Sequence, residues 1–188
     1  MSSYLFSYGS LINSQSRHLN SGLKRAQKAV LTGYCREWNI AVPKIKATVL
    51  GLVKKNQAKV NGVVFKVSEA ELKSFDSREL PAGYTRIQID LKQLKINGKN
   101  PTEGTYYAYL TKKPTHPVKN KPVIQSYVDV VLSGCLNYGK KFAQDFIKTT
   151  SGWQYARIDD RQNPVYPRAL KQLKHKRQID KLMNETRN

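Results

Sequence analysis

Apolar positions along the chain change period several times, and each change marks an element. Residues 3–8 are aromatic-rich and nearly uninterrupted, as expected of a buried strand, and they end at Gly9-Ser10. Residues 13–29 are polar and basic with little hydrophobic period, which predicts a loop with one helical turn. Short strands are expected at 29–34, 38–42, 47–53 and 60–67, the third containing Gly51, with a polar turn at 56–59. Ser68-Glu69-Ala70-Glu71 has the form of a capping box and opens a short helix. From 84 to 91 the alternation is strict: Thr85, Ile87, Ile89 and Leu91 share one face, while Tyr84, Arg86, Gln88 and Asp90 share the other. Asn97-Gly98 between β-rich runs at 91–96 and 105–110 predicts a hairpin.

After a proline- and lysine-rich connection at 111–122 the period becomes helical. Ile124, Tyr127, Val128, Val131, Leu132 and Cys135 predict a helix over 123–136 with one buried face. A second helix is expected at 141–149, with Phe142, Ala143, Phe146 and Ile147 inward. An irregular, aromatic-containing stretch at 152–167 precedes a basic, weakly amphipathic helix over 169–183.

At 188 residues with 39% apolar and 10% aromatic content, the chain suits one folded domain of ordinary size, or one domain with a tail. Thirty-three Lys and Arg against thirteen Asp and Glu give a formal charge of +20. Such a field favours acidic partners and non-specific contact with nucleic acid or anionic surfaces. The basic residues are spread along the chain and concentrate only at 166–181. Cys35 and Cys135 have no metal-ligand spacing and read as buried, reduced thiols; His18, His116 and His175 are isolated. No metal site or cofactor motif is present, and the apolar run at 4–8 is too short for a signal or a membrane span. The expected location is the cytoplasm, without membrane attachment.

The residue that draws attention chemically is Glu79. It lies where a helical pattern gives way to a strand, on what reads as a short loop tightened by Pro81 and Gly83, at the mouth of a strand presenting Tyr84 and Arg86 on one face. Gly9-Ser10 at the end of the first strand can leave main-chain amides unpaired, which is one way to build a small anion site.

Taken in order, Tyr8-Gly9-Ser10-Leu11, then Gly62-Val63-Val64-Phe65-Lys66-Val67 leading to Phe75-Asp76 and Glu79, then Tyr84 and Arg86, and finally Ser126-Tyr127-Val128-Asp129 ahead of Gly134, resemble the gamma-glutamylcyclotransferase superfamily. The resemblance covers roughly residues 4–150, with some likeness to the glutathione-specific ChaC branch in Arg78-Glu79 and Gly83-Tyr84. It implies an α+β domain over 1–150, a mixed barrel-like sheet flanked by helices. Residues 151–188 form a basic helical C-terminal extension packed on or trailing from it. It further implies that Glu79 is the acid/base. By the same resemblance Tyr8, Gly9, Ser10, Leu11, Ile12, Asn13, Tyr84 and Tyr127 contact a γ-glutamyl small-molecule substrate, which closes on itself to release 5-oxoproline. No cofactor is implied. Two other classes stay open at this level: a catalytically silent ligand- or partner-binding domain of the same fold, and a basic nucleic-acid binding module using Tyr106, Tyr107 and Tyr109 beside Lys112 and Lys113. The purpose of the positive charge, the leaving amine and the oligomeric state are not specified by these residues.

Overall fold

Two strands, much longer than the hydrophobic pattern predicts, form the backbone of the fold in the computed structural model, which describes residues 2–21 and 25–186. β1 (Ser3–Ser7) leads into a 3-10 turn (Ser10–Ile12) and α1 (Ser14–Ser21), a full helix where the polar pattern predicted mainly loop. β2 (Ala26–Val42) and β3 (Ala47–Val67) then pair antiparallel along nearly their whole length. The four short strands predicted here are therefore two. The ladder runs through both apparent breaks: residues 35–37, the expected gap, pair regularly with 51–53, and the other break is an irregularity. The register jumps from Thr32↔Lys59 to Tyr34↔Lys54, opposite Gly33 at φ +83, so residues 55–58 bulge outward, with Gln57 at φ +62. The expected polar turn is this bulge.

α2 (Glu69–Glu79) begins with the capping box read from the sequence: Ser68 Oγ accepts from the Glu71 amide, and the Glu71 carboxylate accepts from the Ser68 amide. Then come β4 (Tyr84–Gln88), β5 (Leu94–Ile96), β6 (Thr105–Thr111) and β7 (Val123–Ile124). Next are α3 (Gln125–Asn137), α4 (Lys140–Lys148), β8 (Thr150–Ser151), β9 (Arg157–Ile158) and α5 (Lys176–Asn184). The sheet is mixed and not closed, in the order β4-β6-β1-β3-β2-β5, with β7 and β8 paired to the free ends of β3 and β2. β1 lies inside it, parallel to β6 and antiparallel to β3.

The Asn97-Gly98 turn forms, both residues at positive φ and Ile96 bridged to Lys99, but it does not join β5 to β6. β5 pairs with β2 instead, and β6 pairs with β1 and β4. Gly51 sits where the sheet curls inward: a Cβ there would fall 2.0 Å from both Asn39 Oδ1 and Thr111 Oγ1, which are hydrogen-bonded to each other.

Alternation along β1 sends Leu5 into one cluster with α2, α3 and α4, and Phe6 into another between β2, β3 and β6. α3 is buried on every side from Gln125 to Cys135, rather than on one face as predicted. Its polar side is covered by the C-terminal stretch: Asp160 accepts from the Ser126 amide and hydroxyl, and Arg161 pairs with Asp129. α5 adds Ile179, Leu182 and Met183 to the first cluster. α5 starts only at Lys176, so the predicted helix over 169–183 is half as long; 169–175 runs as irregular chain. Among the described residues no helix is long and apolar enough to cross a membrane.

Candidate functional site

The turn that ends β1 is shaped from below by two buried guanidinium groups. Arg17 donates to the carbonyls of Leu11 and Ile12, both at 2.7 Å, and Arg36 donates to that of Tyr8 at 3.3 Å. The turn's own bonds, Ile12 to Gly9 and Asn13 to Ser10, use two further amides, while the amides of Ser10 and Leu11 at its positive end take no part in them. A turn whose carbonyls are engaged by cations and whose leading amides are unspent is an anion cradle.

Arg36 is fully buried and has no carboxylate partner among the described residues. Besides Tyr8 it donates to the Asn61 carbonyl (2.7 Å), Asn61 Oδ1 (3.0 Å), the Phe146 carbonyl (2.9 Å), Thr149 Oγ1 (3.0 Å) and Thr150 Oγ1 (2.7 Å). It also stacks on the Phe146 ring at 3.4 Å. Burial pulls its pKa down to about 9, which leaves it protonated at neutral pH. The sequence reading missed both arginines. A lone Arg36 within the apolar run 29–42 was the available signal, but it falls in the gap between two expected strands.

Tyr8, Gly9, Tyr84, Tyr127 and Glu79 come together at this turn. Tyr8 is buried and donates to the Tyr109 carbonyl at 2.6 Å; Tyr84 is buried and donates to the Leu50 carbonyl at 2.8 Å. Tyr127, from the first turn of α3, puts its hydroxyl 3.0 Å from where a Cβ on Gly9 would sit, so a side chain at 9 would crowd it. Ser10 and Leu11 are half-buried on the turn, and Ile12 is fully buried beneath it. Asn13 is buried too. Its Oδ1 caps α1 by accepting from the amides of Gln15 and Ser16, and its Nδ2 donates to the Val130 carbonyl. Those contacts make Ile12 and Asn13 supports of the turn.

Glu79 is the last residue of α2 rather than a loop residue, because the helical bond from the Leu80 amide to the Asp76 carbonyl continues past it. Arg78 Nε and Nη2 both reach its Oε1 at 2.8 Å, and Oε2 has no partner among the described residues. The Glu79 side chain is 23% exposed and faces the phenols. Its charge adds to the raised pKa of Tyr8, Tyr84 and Tyr127, burial being the larger cause in each. All three are therefore neutral donors at physiological pH. Asp76, one helical turn before Glu79, is pinned by Arg86 and by the Tyr109 hydroxyl at 2.8 Å, which fixes the end of α2 against β4 and β6.

Tyr166, read only as part of an irregular stretch, packs edge-on against Tyr127 at 4.8 Å and accepts from Arg168 Nε at 3.1 Å. Trp38 packs on Tyr127 from the other side at 5.8 Å. Tyr106 and Tyr109 are buried in the sheet, Tyr106 stacked on Tyr4, and Tyr107 lies under Arg86. They are not a surface for stacking bases. Cys35 and Cys135 are buried and free, and among the described residues no group of His, Cys, Asp and Glu could hold a metal.

An open mixed sheet with helices on it carries, at the end of β1, a turn with a carboxylate and three phenols beside it, a candidate small-molecule site in an α+β domain. The sequence pattern of the family described as "Gamma-glutamyl cyclotransferase, AIG2-like" matches residues 5–127, and the chain belongs to that family. Among solved structures the fold is similar to a gamma-glutamyl cyclotransferase at TM-score 0.64 and 17% identity, covering 98% of this chain and 99% of that one. It is equally similar to an uncharacterized protein, loc79017, from Homo sapiens, at 0.64 and 17%, covering 97% and 98%. YkqA from Bacillus subtilis gives 0.60 and 16%, covering 84% of this chain and 56% of that one. The likeness thus runs beyond residue 127 into the C-terminal stretch. The sequence has no match among curated proteins.

Proposed function

We propose that the protein is a γ-glutamylcyclotransferase that releases 5-oxoproline from a γ-glutamyl amine or peptide. The observation that carries this reading is the unpaired Oε2 of Glu79 among three neutral phenols, beside a turn whose carbonyls are held by two guanidinium groups. In this reading the amides of the turn hold the substrate α-carboxylate. Oε2 takes a proton from the α-ammonium, and the freed amine attacks the γ-carbonyl carbon of the same molecule. The new carbon–nitrogen bond closes the five-membered ring and the bond to the leaving nitrogen breaks; Glu79 returns its proton to that nitrogen, and the second proton shed by the ring nitrogen passes to the released amine, which departs as its ammonium ion. Attack is intramolecular, so no protein nucleophile is needed. Tyr84 and Tyr127 hold the glutamyl carbon chain out of water, and Tyr8 fixes the turn to β6. We assign catalysis to residues 1–150 and, given two free buried thiols, to the cytoplasm.

Glu79→Gln keeps the shape of the side chain and removes the base. Release of 5-oxoproline is measured by mass spectrometry from glutathione, γ-glutamyl-lysine and a panel of γ-glutamyl dipeptides. We expect it to fall by about 10²–10⁴-fold with an unchanged melting temperature. Equal turnover by the folded variant would remove Glu79 from the chemistry. Silence of the folded wild type on every substrate would leave a binding domain.

A further inference from the structure

A second concave site lies along the other half of α3 and has no role in the chemistry above. It is a cavity of about 850 Å³ between the start of α1, the C-terminal half of α3 and the irregular chain before α5. Neither Glu79 nor any tyrosine lines it. Tyr127 and Ser133 are six residues apart on α3, about 9 Å along the helix axis, and the cavity approaches the phenols only through Arg168, which donates to Tyr166, and the turn through Asn13.

Its chemistry is one-signed. Arg168, Lys171, Lys174, His18 and His175 line it, and no carboxylate does. Lys171 and Lys174 are exposed and pair with no acidic side chain among the described residues. The acidic groups nearest in the chain are already engaged elsewhere: Asp129 and Asp180 with Arg161, and Asp160 with Ser126. The positive end of α1 points the same way, with Asn13, Ser14, Gln15 and Ser16 on the wall.

One further group indicates an occupant. Ser133 is 4% exposed, lines the cavity, and its hydroxyl has no hydrogen-bond partner among the described residues. A buried hydroxyl without a partner is destabilising, and an oxygen-rich ligand in the cavity would receive its bond. A single oxyanion would occupy only part of the volume, which is in the range of small-molecule sites. Among the described residues no Phe, Tyr or Trp lines the wall, which argues against a reader of bases. We propose that this cavity binds the phosphate groups of a small phosphorylated molecule. Lys171, Lys174 and Arg168 supply charge, and Ser133 and His18 supply directed hydrogen bonds, while His175 is bonded through both ring nitrogens to Gln178 and Asn137 and shapes the wall.

The test is a titration of the isotope-labelled full chain with pyrophosphate, followed by amide chemical shifts at constant ionic strength, with malonate and oligothymidylate in parallel. Pyrophosphate is expected to saturate with shifts at Ser133, Asn137 and 169–175. Lys171→Ala with Lys174→Ala should weaken it about tenfold or more, and Ser133→Ala several-fold. Both lysines are exposed and the serine hydroxyl is unbonded, so the variants should fold as the wild type does; a melting curve checks this. The proposal is overturned if pyrophosphate does not saturate, or if the double variant binds it as well, which would leave only diffuse net charge. Malonate binding as tightly would remove the preference for phosphate. Tighter binding of oligothymidylate through the same residues would make the site a nucleic-acid surface.

Discussion

Arg36 and Arg161 are both drawn into the protein, and they are held in opposite ways. Arg36 meets only neutral acceptors: three carbonyls, a side-chain amide and two hydroxyls. Arg161 meets acids. Its Nε and Nη2 grip Asp129 at 2.8 Å each, Nη2 reaches Asp180 at 2.7 Å, and the Asp129 hydrogen bonds are the main reason its pKa is raised. Burying an ion is unfavourable unless it is paired or fully bonded, and the two sites meet that requirement differently. Around Arg161 the charge is neutralised, so the contact serves to clasp the C-terminal stretch onto α3. Around Arg36 the geometry is satisfied but the charge is not. A net positive field is left under the turn that the proposed mechanism asks to hold a carboxylate.

The comparison breaks most sharply at Arg36. Arg36→Met strands acceptors on the turn after β1, on β3 and on α4 at once, and should cost about 3–5 kcal/mol in chemical denaturation. A variant as stable as wild type would mean that those groups find other donors and that the arginine is not what holds the turn. Arg161→Ala leaves the Asp129 carboxylate buried and uncompensated. Because Arg161 is itself partly solvated, the expected loss is smaller, about 2–4 kcal/mol. Hydrogen exchange should show it confined to α3 and 157–184, and uniform loss through β1–β3 would deny that this is a local clasp.

Alkaline pH separates the two regions without mutation. Tyr8, Tyr84 and Tyr127 have raised pKa values, so the fold keeps protons that the unfolded chain gives up above about 10. Each phenol's stabilisation then declines by about 1.4 kcal/mol per pH unit. Arg36, lowered to about 9, works in the opposite sense from that pH upward, and Cys135, raised from 9.0, offsets it. Stability should be flat between pH 9 and 10 and fall beyond, and Tyr84→Phe should shallow the fall. A steep decline already below pH 9 would contradict the assignment. The smallest effect is expected of Asp180→Asn, which loosens only the half-exposed arm of the clasp and should cost less than about 1 kcal/mol in the same denaturation.

What the sequence disclosed was local. The capping box at Ser68 and Glu71 and the turn at Asn97-Gly98 are written in adjacent residues and form as read. Which strand the turn would pair was not written there, because β5 finds β2 across more than sixty residues. The polar residues Arg36 and Glu37 and the bulge at 55–58 look like strand ends to a periodic pattern, although the ladder continues through them. α3 looked one-sided because Ser126 and Asp129 are polar, and their partners Asp160 and Arg161 come over thirty residues later. The members of the site that stand in short motifs, Tyr8, Gly9, Tyr84 and Glu79, were legible for the same reason. Arg17, Arg36 and Tyr166 were not, since each takes its role from contacts with distant main chain or rings.

The central place of β1 in the sheet has a consequence for biosynthesis. Its five residues emerge from the ribosome well before either neighbour, since one edge waits for 63–67 and the other for 105–107. Until then an apolar strand with both edges open is held next to the turn that will form the cradle, a state prone to pairing with other chains. Folding dominated by such distant pairings is slow. A chain halted before residue 105 should be insoluble rather than partly active, and the nascent protein should depend on chaperones until residues 105–107 have been made.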